Sequence, residues 1–132
     1  MNLHENKDAF AAAIQLASTP KQEGGLGIKQ IYIEKDYWIC RSLKQRSECK
    51  ESEVAVFKGG TSLSKAYLLG NRFSEDIDIA ITSDSQRTDN QTKNIISRIS
   101  KVMSAGFWTS SNPADMTLDI RDIMFFVWLS VR

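Results

Sequence analysis

Histidine and cysteine, the side chains that most often bind transition metals, are scarce in this chain of 132 residues. The only histidine is His4, and the two cysteines, Cys40 and Cys49, lack the spacing of metal ligands. No second cysteine pair is present to build a disulfide framework, so we expect two reduced thiols. The zinc-finger and disulfide-scaffold classes are therefore excluded.

A surplus of charge and a long apolar run are also absent. Lysine and arginine number 17 and aspartate and glutamate 16, which gives a net charge of +1. The overall field therefore neither requires nor excludes nucleic acid, and any electrostatic site must be local. The apolar runs at residues 103–108 and 123–131 are too short to cross a bilayer, and the N-terminal residues are too polar for a secretory signal. We expect a cytoplasmic protein with no membrane contact.

The apolar pattern predicts a small α/β domain. An apolar share of 42% is that of a globular protein, and the length allows one hydrophobic core. Apolar residues at helical spacing predict helices at 5–17, 31–43, 62–69 and 92–105. Short apolar or alternating stretches predict strands at 54–57 and 73–81. The expected architecture is a small mixed β-sheet flanked by helices.

Two segments have different parts in this one predicted domain. Residues 1–53 form an N-terminal helical segment that packs on the core, and residues 54–132 supply the core itself. Near the end of the chain, the apolar run at 123–129 has strong β propensity. It is either a strand buried on both faces or a surface that lies against a partner chain, such as a second copy in a homo-oligomer.

A glycine-rich turn follows the first predicted strand. N–H groups at a helix start lack intrahelical partners, and glycine lets a phosphate approach them closely. The spacing is not that of a P-loop, and an ordinary turn with an N-cap fits the same residues. Lys65, one turn into the helix, is a further source of positive charge. The residues of the turn that are available to a nucleotide are Lys58, Gly59, Gly60, Thr61 and Ser62.

Two carboxylates, Asp76 and Asp78, alternate with isoleucines in the second predicted strand. Because side chains alternate along a strand, both carboxylates leave the same face. Mg²⁺ commonly takes one or two carboxylates together with substrate phosphates. A solvated strand edge is the alternative, but two acids fixed side by side would repel each other without a cation. We therefore predict Asp76 and Asp78 as metal ligands and catalytic residues.

The order of these parts, strand, Gly-Gly, helix and strand with Asp-x-Asp, is that of the nucleotidyltransferase superfamily. More closely, FKGGTSLSKAY at 57–67 and RFSEDIDI at 72–79 resemble the AbiEii/AbiGii toxin family. The sequence EKDYW at 34–38 resembles an element that the family carries upstream. The resemblance covers roughly residues 31–81.

The resemblance implies a magnesium-dependent nucleotidyltransferase, the toxin of a type IV toxin–antitoxin or abortive-infection pair. Such a protein binds a nucleoside triphosphate with Mg²⁺, transfers a nucleotide to an acceptor such as tRNA, and has an antitoxin as partner. Carried over by position, Gly59, Gly60 and Thr61 hold the triphosphate, and Asp76 and Asp78 bind the metal. Lys58 and Ser62 assist, and Arg72 and Ser74 belong to the matched motif.

The chain departs from the family pattern after residue 105. Members of the family are considerably longer, and their later motifs add a lysine and a third acidic residue. Asp119 and Asp122 are the candidates for that third carboxylate here. The alternative is a shortened, catalytically incomplete member that serves as a nucleotide-binding or protein-interaction module. A third hypothesis is nucleic-acid binding by a basic helix face, formed by Lys93, Arg98 and Lys101.

Overall fold

A computed structural model describes residues 2–69, 76–82 and 84–105, together with the backbone of 124–129. Within these residues the chain forms four α-helices and three strands. In chain order they are α1 (Lys7–Ser18), α2 (Gln30–Glu48), β1 (Ala55–Lys58), α3 (Gly59–Lys65), β2 (Asp76–Ile81), α4 (Asp89–Ser104) and β3 (Met124–Leu129). Short 3₁₀ turns lie at Leu3–Glu5, Lys21–Glu23 and Lys50–Val54. The predicted α/β class is confirmed.

The three strands form one mixed sheet in the order β1-β2-β3. β1 and β2 are antiparallel, with Ala55 opposite Ile81 and Lys58 opposite Asp78. β2 and β3 are parallel. Since parallel strands need a long crossover, α4 and the residues around it separate β2 from β3 along the chain. The predicted mixed sheet flanked by helices is confirmed.

The apolar run near the end of the chain belongs to the protein's own sheet. Its backbone pairs with β2 as β3, so the prediction of a strand there is confirmed. Among the described strands the centre is β2, however, and β3 lies beside it. No helix in the described ranges is long and apolar enough to span a bilayer.

One hydrophobic core joins the helices to the sheet. The three isoleucines that alternate with the carboxylates of β2 are fully buried, as the period of two predicts. α1 and α2, from the segment before residue 54, contribute to this core as well. Its buried members are Phe10, Ile14, Trp38, Ile39, Ala55, Ile77, Ile79, Ile81, Ile99 and Met103.

Capping residues set the beginning of two helices. The side chain of Asn6 accepts a hydrogen bond from the Ala9 N–H at 3.0 Å and begins α1. Thr88 and Gln91 form a capping box at the start of α4. α2 runs five residues past its predicted end at residue 43, to Glu48. The added residues are mostly lysine, glutamine, arginine and glutamate, which favour helix without any apolar period.

The third helix differs most from its prediction at 62–69. α3 begins at Gly59 and ends at Lys65. Beyond it Leu68 takes a left-handed conformation, with φ 55°, and the Leu69 N–H donates to the Leu63 carbonyl oxygen at 2.9 Å. The apolar residues of the predicted helix, Leu63, Ala66, Tyr67 and Leu69, are exposed. Because packing of an apolar face supplies most helical stability, nothing in the described core extends this helix further.

Candidate active site

The predicted glycine turn and the predicted carboxylates meet at one edge of the sheet. β1 runs antiparallel to β2, so the last residue of β1 lies beside the first residues of β2. Lys58 is paired with Asp78, and Gly59 follows at the start of α3. The antiparallel pairing therefore brings together two motifs that are separated by thirteen residues of sequence, 63–75.

Gly59 touches the carboxylate of Asp78. Its φ of 78° lies in the left-handed region, which residues with a Cβ rarely adopt. A Cβ placed on Gly59 would overlap Asp78 Oδ2 and would lie 3.2 Å from Asp78 Cβ. Glycine is thus required twice at this position, for the backbone angle and for the space that the carboxylate occupies.

The two hydroxyls of the motif serve the framework. Thr61 is only 1% exposed, and its Oγ1 donates to the carbonyl oxygen of Asp76 at 2.5 Å. Ser62 is also buried, and its Oγ donates to the Gly59 carbonyl oxygen at 2.8 Å. The Ser62 hydrogen bond lies within the start of α3, and the Thr61 hydrogen bond connects that start to β2. A ligand at this edge would therefore meet the backbone of the turn rather than these side chains.

The exposed part of the motif consists of Lys58, Gly59 and Gly60. The side chain of Lys58, the N-cap residue of α3, makes no capping hydrogen bond. The first N–H groups of a helix have no intrahelical partner, and those of α3 start at the edge that carries the carboxylates, because Gly59 directly follows Lys58, the partner of Asp78. Gly60, without a side chain, leaves them open to a large anion.

Asp76 and Asp78 lie at alternate positions of β2, and both are half-buried. Neither forms an ion pair with another residue of the described ranges. Two neighbouring carboxylates without a cation repel each other, and Mg²⁺ takes one or two carboxylates plus phosphate oxygens. The pair therefore fits a Mg²⁺ ion that a triphosphate brings with it.

The part of the chain that the structure describes brings no third carboxylate to this pair as a metal site. The positions of β3 opposite Asp76 and Asp78 are Met124 and Phe126. Across residues 2–69, 76–82 and 84–105, no three side chains of histidine, cysteine, aspartate or glutamate come together as a metal site. The predicted candidates Asp119 and Asp122 lie outside the described residues, as do Arg72 and Ser74 of the matched motif.

An ion pair that sequence reasoning did not find ties α3 to α2. Lys65 Nζ donates to Asp36 Oδ1, and Asp36 belongs to the EKDYW element of α2. Partial burial lowers the pKa of Lys65, but the hydrogen bond to Asp36 and the attraction to Cys40 and to Asp36 outweigh it, and the pKa lies above its ordinary value. The two residues are 29 apart in sequence, and only the co-occurrence of both motifs could have suggested the contact.

Comparison with known proteins identifies the family. A family model described as nucleotidyl transferase AbiEii toxin, type IV TA system, matches residues 41–115, which is more than half of the chain. The match contains β1, α3, β2 and α4, whereas the EKDYW element and β3 lie outside it. No curated protein and no solved structure matches. The chain belongs to the AbiEii family of nucleotidyl transferase toxins from type IV toxin–antitoxin systems.

Proposed function

We propose that this protein binds a nucleoside triphosphate with Mg²⁺ and transfers a nucleotide to an acceptor such as tRNA, as the toxin of a pair in the cytoplasm. The family suggests a nucleotidyltransferase toxin with an antitoxin partner, and the family generally uses Mg²⁺. The observation that carries the proposal for this chain is the contact between Gly59 and the carboxylate of Asp78. It joins a backbone suited to phosphate to a side chain suited to a metal.

Each part of the site has its own task in this proposal. The backbone N–H groups of Gly59, Gly60 and Thr61 would bind the triphosphate, and Lys58 would add a positive charge. Asp76 and Asp78 would hold Mg²⁺, which when bound activates the attacking hydroxyl and stabilises the leaving oxygen. Thr61 would keep the phosphate-binding backbone and the start of β2 at a fixed separation, because its hydroxyl donates to the Asp76 carbonyl oxygen.

Calorimetry with each of the four nucleoside triphosphates tests the binding half. With Mg²⁺ present we expect heat from at least one of them, and we expect its loss in Asp76→Asn and in Asp78→Asn. Asp8→Asn, in the exposed first turn of α1, is the control, since it removes an equal charge far from β2. Heat that persists in both site variants would contradict the assignment.

A transfer assay tests the catalytic half separately. The chain is incubated with labelled nucleoside triphosphates, Mg²⁺ and total tRNA, and label in the RNA is measured. We expect label to enter the RNA with the unaltered chain and not with Asp78→Asn. Binding without transfer would instead favour the second candidate described next.

The second candidate is a module that binds nucleotide or a partner protein without transfer. It is favoured by the register of β3, which places Met124 and Phe126 rather than an acid opposite the two carboxylates. As a binding module it would present β3 to an antitoxin or to a second copy. Phe125→Asp tests this role, since an unchanged hydrodynamic size and unchanged antitoxin binding would remove its support.

A further inference from the structure

We infer that Asp36 is a positioning residue of the candidate site, which acts through Lys65 to hold α3 in the orientation that the nucleotide requires. The inference rests on the proposed function, because it assigns a role in nucleotide binding. It concerns a residue outside the segment that the family model matches. Neither Asp36 nor Lys65 is placed in contact with the nucleotide.

Apolar packing contributes little to the position of α3 among the described residues. It contains seven residues, and Leu63, its largest apolar side chain, is 49% exposed. At its beginning the Thr61 hydroxyl is tied to β2. At its last residue, Lys65, the ion pair with Asp36 ties it to α2. The two ties at opposite ends fix both the place and the direction of the helix.

The anchor on the other side of the ion pair is rigid. α2 has 19 residues, and Trp38 and Ile39, close to Asp36 in sequence, are buried in the core. The side chains of Lys65 and Asp36 are 28% and 33% exposed, so the pair is partly shielded from water. A charge-assisted hydrogen bond of this kind is directional as well as attractive. It can therefore transmit the position of α2 to α3.

A displacement of α3 would change the contact between this helix and the Asp78 carboxylate. Gly59 begins the helix, and its Cα lies against the Asp78 carboxylate with no room for a methyl group. A rotation of α3 would move this contact and the N–H groups of the turn together. Loss of the Asp36–Lys65 pair is thus expected to weaken nucleotide binding without loss of the fold.

Four variants test the inference against one control. Asp36→Asn and Lys65→Gln each break the ion pair, and Lys65→Arg retains a cation. The double variant removes both partners of the same pair, so it loses no further interaction between them. Glu51→Gln is the control, because Glu51 Oε1 and Arg98 Nη1 form a pair at 3.1 Å between the 3₁₀ turn at Lys50–Val54 and α4. The readouts are hydrogen exchange of the α3 amides in the free protein and affinity for a Mg²⁺–nucleoside triphosphate by calorimetry.

We expect each single pair-breaking variant to speed exchange in α3 and to weaken nucleotide affinity by about fivefold, the effect of a partly shielded pair. The double variant should bind no more weakly than the singles, Lys65→Arg should bind nearly as tightly as the unaltered chain, and Glu51→Gln should change neither readout. Unchanged exchange in α3, or faster exchange with unchanged affinity, overturns the inference alone. Failure of the unaltered chain to bind any nucleoside triphosphate overturns the proposed function and this inference with it.

Discussion

At the scale of single residues, the candidate site depends on close contacts between the glycine-rich turn and the two aspartates of β2. Gly59 and Thr61 both belong to the motif that sequence reasoning selects for phosphate binding, yet their contacts in the structure are with the two carboxylate residues. The motif therefore shapes the metal-binding half of the site as well as the phosphate-binding half. Two substitutions separate these effects.

Gly59→Ala is expected to weaken Mg²⁺–nucleotide binding and to destabilise the fold. The left-handed backbone alone costs a residue with a Cβ about 1–2 kcal/mol, and the added methyl group must also displace the Asp78 carboxylate. Gly24→Ala is a matched control, because Gly24 has φ 88° and a methyl group added there would meet no atom within 4 Å. Urea unfolding and calorimetry should show a loss of stability in both variants but a loss of binding only in Gly59→Ala. Equal binding by the two would contradict the proposed contact.

Thr61→Val is expected to destabilise the protein by about 1–2 kcal/mol, since it removes the buried hydroxyl that donates to the carbonyl oxygen of the half-buried Asp76. Valine keeps the shape of threonine, so the change isolates the hydroxyl. Thr61→Ser keeps the hydroxyl and should lose much less of the hydrogen bond. Chemical unfolding of the two variants measures the difference, and a smaller loss in Thr61→Val than in Thr61→Ser would be evidence against the tie.

At the scale of elements, the sequence predicts best those that are long and have a buried face. α1, α2, α4 and β2 follow from apolar periodicity, because the core decides where they lie. α3 does not, because its position depends on a distant ion pair and on a left-handed glycine rather than on an apolar face. The carboxylates and the glycines are found from the sequence as motifs. Their contact is not, because it depends on the antiparallel register of β1 and β2.

The packing of α2 on α4 is open to a direct test. Ser42 is fully buried, and its hydroxyl donates to the Met103 carbonyl oxygen at 2.9 Å, one of the last carbonyls of α4, which have no intrahelical partner. Ser42→Ala should therefore lower the free energy of unfolding by about 1 kcal/mol or more. Ser47→Ala, on the exposed side of the same helix, should lower it by less. Equal losses in the two would show that the bond between the helices contributes nothing.

At the scale of the whole molecule, the N-terminal segment is integrated with the rest of the fold. Its residues Phe10, Ile14, Trp38 and Ile39 share one core with β2 and α4, and Asp36 reaches α3. The predicted division at residue 53 thus separates two stretches of chain that stabilise each other across one core. We therefore expect that conditions which destabilise the N-terminal segment also destabilise the sheet.

Acidification is such a condition, because the only histidine is buried in this segment. His4 is 4% exposed, and it lies in an aromatic cluster with Phe10, Tyr37 and Trp38. Its Nδ1 lies 2.6 Å from the Tyr37 hydroxyl oxygen, within hydrogen-bond distance. Burial, and then repulsion from Arg41, hold the pKa of His4 below its ordinary value of 6.5, against an opposing attraction from Glu5.

Because folding lowers the pKa of His4, acidification reduces the stability of the folded protein. The unfolded chain binds a proton at His4 more readily than the folded chain, so the stability that His4 contributes is fully present above pH 6.5. It is lost as the pH falls below 6.5 and through the lower pKa of the folded state. We expect the free energy of unfolding to fall as the pH drops from about 6.5 to about 5.5, above the range in which most carboxylates titrate. His4→Gln should flatten the profile in this window, and a titration of the His4 ring by NMR should give a midpoint below 6.5. A midpoint at or above that value, or an unchanged slope in His4→Gln, would show that burial of the ring does not link the N-terminal segment to the stability of the molecule.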